Sequence, residues 1–94
     1  MIIIAGHLRV DPAERDGRVS AFRDLVSRCR AAEGCLDVAM TADSVDPDRI
    51  NMIEIWRNAQ ALDAWRAQAD APELGEPREM DVKRYDAMDG GPLF

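Results

Sequence analysis

The sequence predicts an α+β fold with the element order β-α-β-β-α-β. Four runs with a two-residue apolar period begin near Ile2, Cys35, Arg49 and Arg78. Two runs with helical period follow Asp11 and Asn58, after the first and third of those strands. The segment between the second and third strands, DSVDPD over Asp43–Asp48, is a turn, which makes that pair an antiparallel hairpin. This order is the ferredoxin-like split βαβ arrangement. It implies one four-stranded antiparallel sheet with two helices on one face.

The first strand is expected over Ile2–Val10. Ile2, Ile4, Gly6, Leu8 and Val10 share one face, and Ile3, Ala5, His7 and Arg9 the other. Apolar residues on both faces imply that both are at least partly covered, and Ala5 and Gly6 leave room for something close to the strand. Asp11 is a candidate N-cap, Pro12 the first helical residue and Glu14 a capping-box partner. Gly17 costs about 1 kcal/mol relative to Ala, so firm helix is expected from Arg18. Val19, Phe22, Val26 and Cys29 form its apolar stripe, with Leu25 and Ala32 beside it, and Gly34 stops it.

The second strand is expected over Cys35–Ala42, with Leu36, Val38 and Met40 on one face. The third covers Arg49–Trp56 and runs almost directly into a second helix over Ala59–Ala69, capped by Asn58 and ended by Pro72. ELGEP is a loop. The fourth strand, Arg78–Ala87, alternates imperfectly, which suggests a bulge or an edge position, with Met80, Val82 and Tyr85 as its buried side chains. Residues 88–94, MDGGPLF, read as a tail. The organisation is thus one domain over residues 1–87 with a short extension.

A chain of 94 residues makes a small core, and oligomerisation is a common remedy. The sheet face without helices needs a cover, and a second copy packed face to face would supply it. The net charge of -6 argues against nucleic acid and anionic membranes as partners. Cys29 and Cys35 fit neither a C-x-x-C redox motif nor paired zinc spacing, and one histidine does not complete a metal site. A disulfide between the two cysteines is conceivable. The apolar N-terminus has no basic region and no small-residue cleavage site, and no run approaches the ~20 apolar residues of a membrane span. The expectation is a soluble cytoplasmic protein.

EGCLDVAM after the first helix, DPDRINMIEIW across the hairpin, ALDAW in the second helix and DPAERD before the first helix together resemble the antibiotic biosynthesis monooxygenase (ABM) domain family. The resemblance runs from Ile2 to about Gln68 and continues more weakly through the last strand. It implies a ferredoxin-like protomer that pairs into a dimeric α+β barrel. Known members include monooxygenases that oxidise phenols or quinols with O₂ and no cofactor, and haem-degrading enzymes are relatives of similar fold. Trp65, following Trp56, matches a tryptophan of the staphylococcal haem-degrading enzymes. Gly75 stands near the position of their axial histidine, however, and His7 in place of their first-strand asparagine, which disfavours haem. Many members carry a histidine at the position of Trp65 and a second one beyond it, and this chain has neither.

On this reading the catalytic candidates are His7, Trp65 and Asn51. The lone histidine has a reference pKa suited to deprotonating a phenol, or is a hydrogen-bonded interface residue. Trp65 is a stacking wall for a planar ring, or a packing residue between helix and sheet. Trp56 is assigned to structure. Asn51 is a candidate to hold a carbonyl or O₂-derived oxygen. Arg9, Tyr85 and Met40 are the candidate substrate contacts, and Glu54 is read as a salt-bridge partner of Arg57. Two functions remain open. One is a cofactor-independent monooxygenase of a small aromatic phenol or quinol. The other is a non-catalytic dimeric small-molecule-binding or interaction module on the same fold.

Overall fold

A computed structural model describes residues 1–94. Four strands, β1 (Ile2–Arg9), β2 (Cys35–Ala42), β3 (Arg49–Trp56) and β4 (Glu79–Asp86), form one antiparallel sheet in the order β2-β3-β1-β4. The helices are α1 (Pro12–Ala21), α2 (Arg23–Arg30) and α3 (Ala59–Arg66). Strand limits agree with the expected ones to within a residue. β4 is an edge strand, and the register shift lies in β2, between Cys35 and Asp37, rather than in β4.

The first helical region departs from expectation in two ways. It begins at Pro12 rather than near Arg18, because the Asp11 side chain accepts from the Ala13 N–H at 2.9 Å and holds the first turn despite Gly17. Glu14 does not complete a capping box; it pairs with Arg18 one turn on, at 3.6 Å. The helix also breaks at Phe22, whose N–H is shared between the carbonyls of Arg18 and Val19 at 3.2 Å each. The break divides the apolar stripe. Val19 packs with Leu8, Val10 and Ile50, while Leu25, Val26 and Cys29 pack with Ile2, Ile4, Val38, Trp56, Leu62 and Trp65.

α3 is shorter than expected, ending at Arg66, with Asn58 accepting from the Ala61 N–H at 2.9 Å. The coil behind it is tied down by α2: Arg28 Nη1 donates to the Ala69 carbonyl at 2.7 Å. Of the three β4 residues expected to be buried, only Val82 is partly so; Met80 and Tyr85 are exposed, since nothing covers that edge.

Two glycines permit close approaches. Gly6 has φ 154°, and a Cβ there would collide with the Asp81 backbone of β4. Gly34 has φ 79° and abuts Ala61 of α3, so the stop after α2 also seats the last helix. The β2–β3 turn is organised by Asp43. Its carboxylate accepts the backbone N–H groups of Val45 and Asp46 and the Asn51 amide, and Arg49 lies nearby. The Asp46 N–H, then the Asn51 amide and the Val45 N–H, hold the Asp43 carboxyl at about 2, below its ordinary value.

Gly6→Ala should lower stability by about 2 kcal/mol or more in urea denaturation. Gly17→Ala, in open space on α1, should raise it by about 0.5–1 kcal/mol. For Asp43, the depressed folded-state value means its contribution is present above the ordinary carboxyl range and lost as pH falls through about 2. Asp43→Ala should therefore lower the melting temperature at pH 7, and the deficit against the parent should shrink between pH 4 and pH 2. An unchanged deficit at acid pH would contradict the assignment.

Candidate functional site

Strand pairing decides which side chains can meet. Ile4, Glu54 and Val38 lie side by side across the three strands β1, β3 and β2, as do Gly6, Met52 and Met40. These residues share the face that carries the helices. His7 lies between Asn51 and Asp81 on the opposite face, and Arg9 between Arg49 and Glu79. Tyr85 is beside Ile3 on that same open face. The six candidate residues therefore do not form one site. Trp65 and Met40 are on the helix side; His7, Asn51, Arg9 and Tyr85 are on the other.

Two of the open-face residues are also fully engaged. Asn51 donates one amide N–H to Asp43 at 2.7 Å and accepts from Arg49 Nε at 2.6 Å, so it braces the hairpin end. Arg9 pairs with Asp48 at 2.9 Å, with Asp46 at 3.4 Å and with Glu79 at 3.5 Å. His7 is half-buried beside Asn51 and Asp81, and Tyr85 is largely exposed on the edge strand.

On the helix side, α2, α3 and the sheet enclose a slot of about 40 Å³ lined by Leu25, Val26, Cys29, Val38, Met40, Met52, Glu54 and Trp65. Seven of its eight walls are apolar; the exception is Glu54. Glu54 Oε1 accepts a hydrogen bond from Trp56 Nε1 at 2.9 Å, while no protein donor reaches Oε2. Trp56 is wholly buried and stacks on Trp65, with ring centroids 6.4 Å apart and planes inclined at 28°. The Arg28 guanidinium lies 5.8 Å from the Trp65 ring centre. The tryptophan pair thus fixes both an aromatic wall and the carboxylate of the slot.

Glu54, read from the sequence as a partner of Arg57, forms no ion pair with it; it lies on the helix face, bonds Trp56 instead and lines the slot, a placement sequence reasoning missed. The signal was present: Ile50, Met52, Glu54 and Trp56 alternate along one strand face, and Glu54 is the only ionisable member. Cys29 also lines the slot, and its Sγ lies 4.0 Å from that of Cys35; both are free thiols. Burial, then the proximity of Cys35, pushes the Cys29 thiol up to about 12, so it stays protonated at neutral pH. No group of three or more His, Cys, Asp or Glu side chains has a metal-binding arrangement, and no helix is long and apolar enough to cross a membrane.

The slot opens beside a larger cleft of about 580 Å³, between the helices and the β2 edge, lined by Val19, Ser20, Arg23, Val26, Ser27, Arg30 and Met40. Val26 and Met40 are walls of both, so the side chain of Met40 stands between cleft and slot.

Comparison with known proteins agrees with this architecture. A Nitrosomonas europaea protein provisionally named an antibiotic biosynthesis monooxygenase superposes with a TM-score of 0.74 at 14% identity, covering 95% of this chain and 100% of that one. A Pseudomonas aeruginosa protein superposes with a TM-score of 0.73 at 22% identity, covering 94% and 93%. An uncharacterised protein of Synechocystis sp. is 26% identical over 62 residues, which are 66% of this chain and 42% of that protein, so the match spans less than half of that relative's length. Residues 1–73 match the family described as antibiotic biosynthesis monooxygenase. The parity of β1 and β3, the paired tryptophans and the helical cover of α1, α2 and α3 thus belong to a member of the antibiotic biosynthesis monooxygenase family.

Proposed function

We propose that the protein is a cofactor-independent monooxygenase that oxidises a small phenol or quinol with O₂ in the slot beneath α2 and α3. One observation carries this reading: a single carboxylate, Glu54, faces an otherwise apolar slot whose wall is the Trp65 indole. Such a site desolvates a flat aromatic ring and offers one base for its hydroxyl. Glu54 takes the phenolic proton, and the resulting phenolate is electron-rich enough to reduce O₂. Recombination at the ring carbon gives a peroxide. Loss of water leaves a quinone, so that one phenol and one O₂ give one quinone and one water. The chain's own contribution is to exclude water, orient the ring and hold the proton.

In its present form the slot is smaller than the ~150 Å³ that admits a benzene ring. Met40 and Met52 are unbranched and change rotamer readily, so entry from the neighbouring cleft requires their displacement. The same narrowness, and the lack of a histidine on this side of the sheet, favours the second reading, a non-catalytic small-molecule-binding or interaction module. Under either reading the open sheet face, with Ile3, Ala5, Ile53 and Ile55 at its centre, packs against the same face of a second copy. Only 11 of 94 residues are buried within one protomer, and covering this face adds the missing core. His7 and Tyr85 then belong to the association surface.

The activity is tested by O₂ uptake with a panel of hydroquinones and naphthols. Glu54→Gln keeps the acceptor for Trp56 and should lower kcat roughly 100-fold. His7→Ala should leave kcat unchanged. Full activity in Glu54→Gln would contradict the assignment, and absence of uptake across the panel would favour the binding module. Association is tested by sedimentation: the parent should run as a dimer and Ile53→Glu as a monomer. A parent that is monomeric at all concentrations removes the dimer from the account.

A further inference from the structure

We infer that the cleft between the helices and the β2 edge is a subsite for the carboxylate of an anionic aromatic ligand whose ring enters the slot; this rests on the slot being the binding site. The cleft has an apolar floor, formed by Val19, Val26 and Met40, and two arginines on its helical wall, Arg23 and Arg30. The arginines are seven residues apart, two turns of α2, and therefore on one side of the helix.

Neither has a carboxylate within ion-pair distance. Arg9, Arg15, Arg18, Arg28, Arg49 and Arg78 each pair with one, whereas Arg23 and Arg30, like Arg57, Arg66 and Arg84 away from this cleft, pair with none. In a chain of net charge -6 that leaves a local positive field at the mouth of the largest cleft. Arg30 is also partly fixed in place. Its Nε donates to the Val38 carbonyl at 3.0 Å, which holds the side chain against β2 and leaves both terminal nitrogens available. A planar guanidinium held in this way suits a carboxylate, which accepts two parallel hydrogen bonds from it.

The second cleft, of about 270 Å³, provides an internal contrast. It too contains an unpaired arginine, Arg57, but Glu33 stands beside it and its only apolar walls are Ala61 and Ala64. It offers neither a net positive mouth nor a path to the slot. Only at the α2 cleft do unpaired arginines, an apolar floor and continuity with Trp65 coincide, through the shared Val26 and Met40. The ligand class is an aromatic acid: ring inward past Met40, carboxylate outward on the arginines.

The test compares 1-naphthoate with its neutral analogue 1-naphthalenemethanol, by amide chemical-shift titration of the full chain. Naphthoate should bind about tenfold tighter or more, with shifts at Ser20, Ser27 and Met40, and the difference should narrow as salt is raised. In Arg23→Gln/Arg30→Gln the two probes should bind equally; both side chains are on the exposed side of α2, and an unchanged spectrum elsewhere verifies the fold. Equal affinities in the parent, retention of the naphthoate preference in the double variant, or no binding of either probe would each overturn the inference. Because the readout is binding, it is separate from the monooxygenase reading: a naphthoate preference without O₂ uptake upholds the subsite and counts against catalysis. Uptake with neutral phenols and no preference for the acid does the reverse.

Discussion

The packing of Trp56 is the interaction on which the rest depends. It ends β3, is wholly buried, stacks on Trp65 of α3 and donates its one N–H to Glu54, two residues back on the same strand face. Burial of so large a ring contributes several kcal/mol, about 3–5 by the cost of truncating such residues, in a domain whose whole stability is of order 5–15 kcal/mol. The indole N–H would be costly to bury unpaired, and Glu54 supplies its acceptor on an otherwise apolar face. Fold and candidate chemistry therefore share one contact: the bond that satisfies Trp56 also orients a carboxylate towards an apolar slot.

The sheet divides the molecule into two faces of different character. Alternation along β1 and β3 sends Ile2, Ile4, Glu54 and Trp56 to the helices, and Ile3, Ala5, Ile53, Ile55 and His7 to the open side. The first set makes the core and lines the slot. The second makes a broad, mainly apolar face with polar residues at one end, where Arg9, Arg49, Asp43, Asp46 and Asp48 close an ionic network around the hairpin turn. This network braces the hairpin end, while the slot contains one ionisable carboxylate and a thiol that burial keeps neutral.

Much of the fold was legible in the sequence because local and tertiary signals agree there. The limits of β2 and β3 follow from Gly34, the DSVDPD turn and the Asn58 cap. The break at Phe22 was not legible: the apolar stripe continues through it, and only packing against two separate clusters divides it. Exposure of Met80 and Tyr85 was missed because alternation reports a face, and not whether anything covers it. The grouping of the candidate residues was less legible than the fold. Residue chemistry singled out His7 and Asn51, while strand parity, visible in the same residues, places them away from Trp65. Glu54 follows from parity alone. The engagement of Asn51 and Arg9 depends on contacts across the hairpin end that no linear pattern specifies.

Whether small aromatic ligands meet this protein on the helix side of the sheet, between Trp65 and Glu54, is decided by a crystal structure with a bound naphthol. The expected complex has the ring against the Trp65 indole, its hydroxyl on Glu54 Oε2, and Met40 and Met52 displaced to make room. A ring seated instead between His7 and Tyr85 on the open face would contradict it.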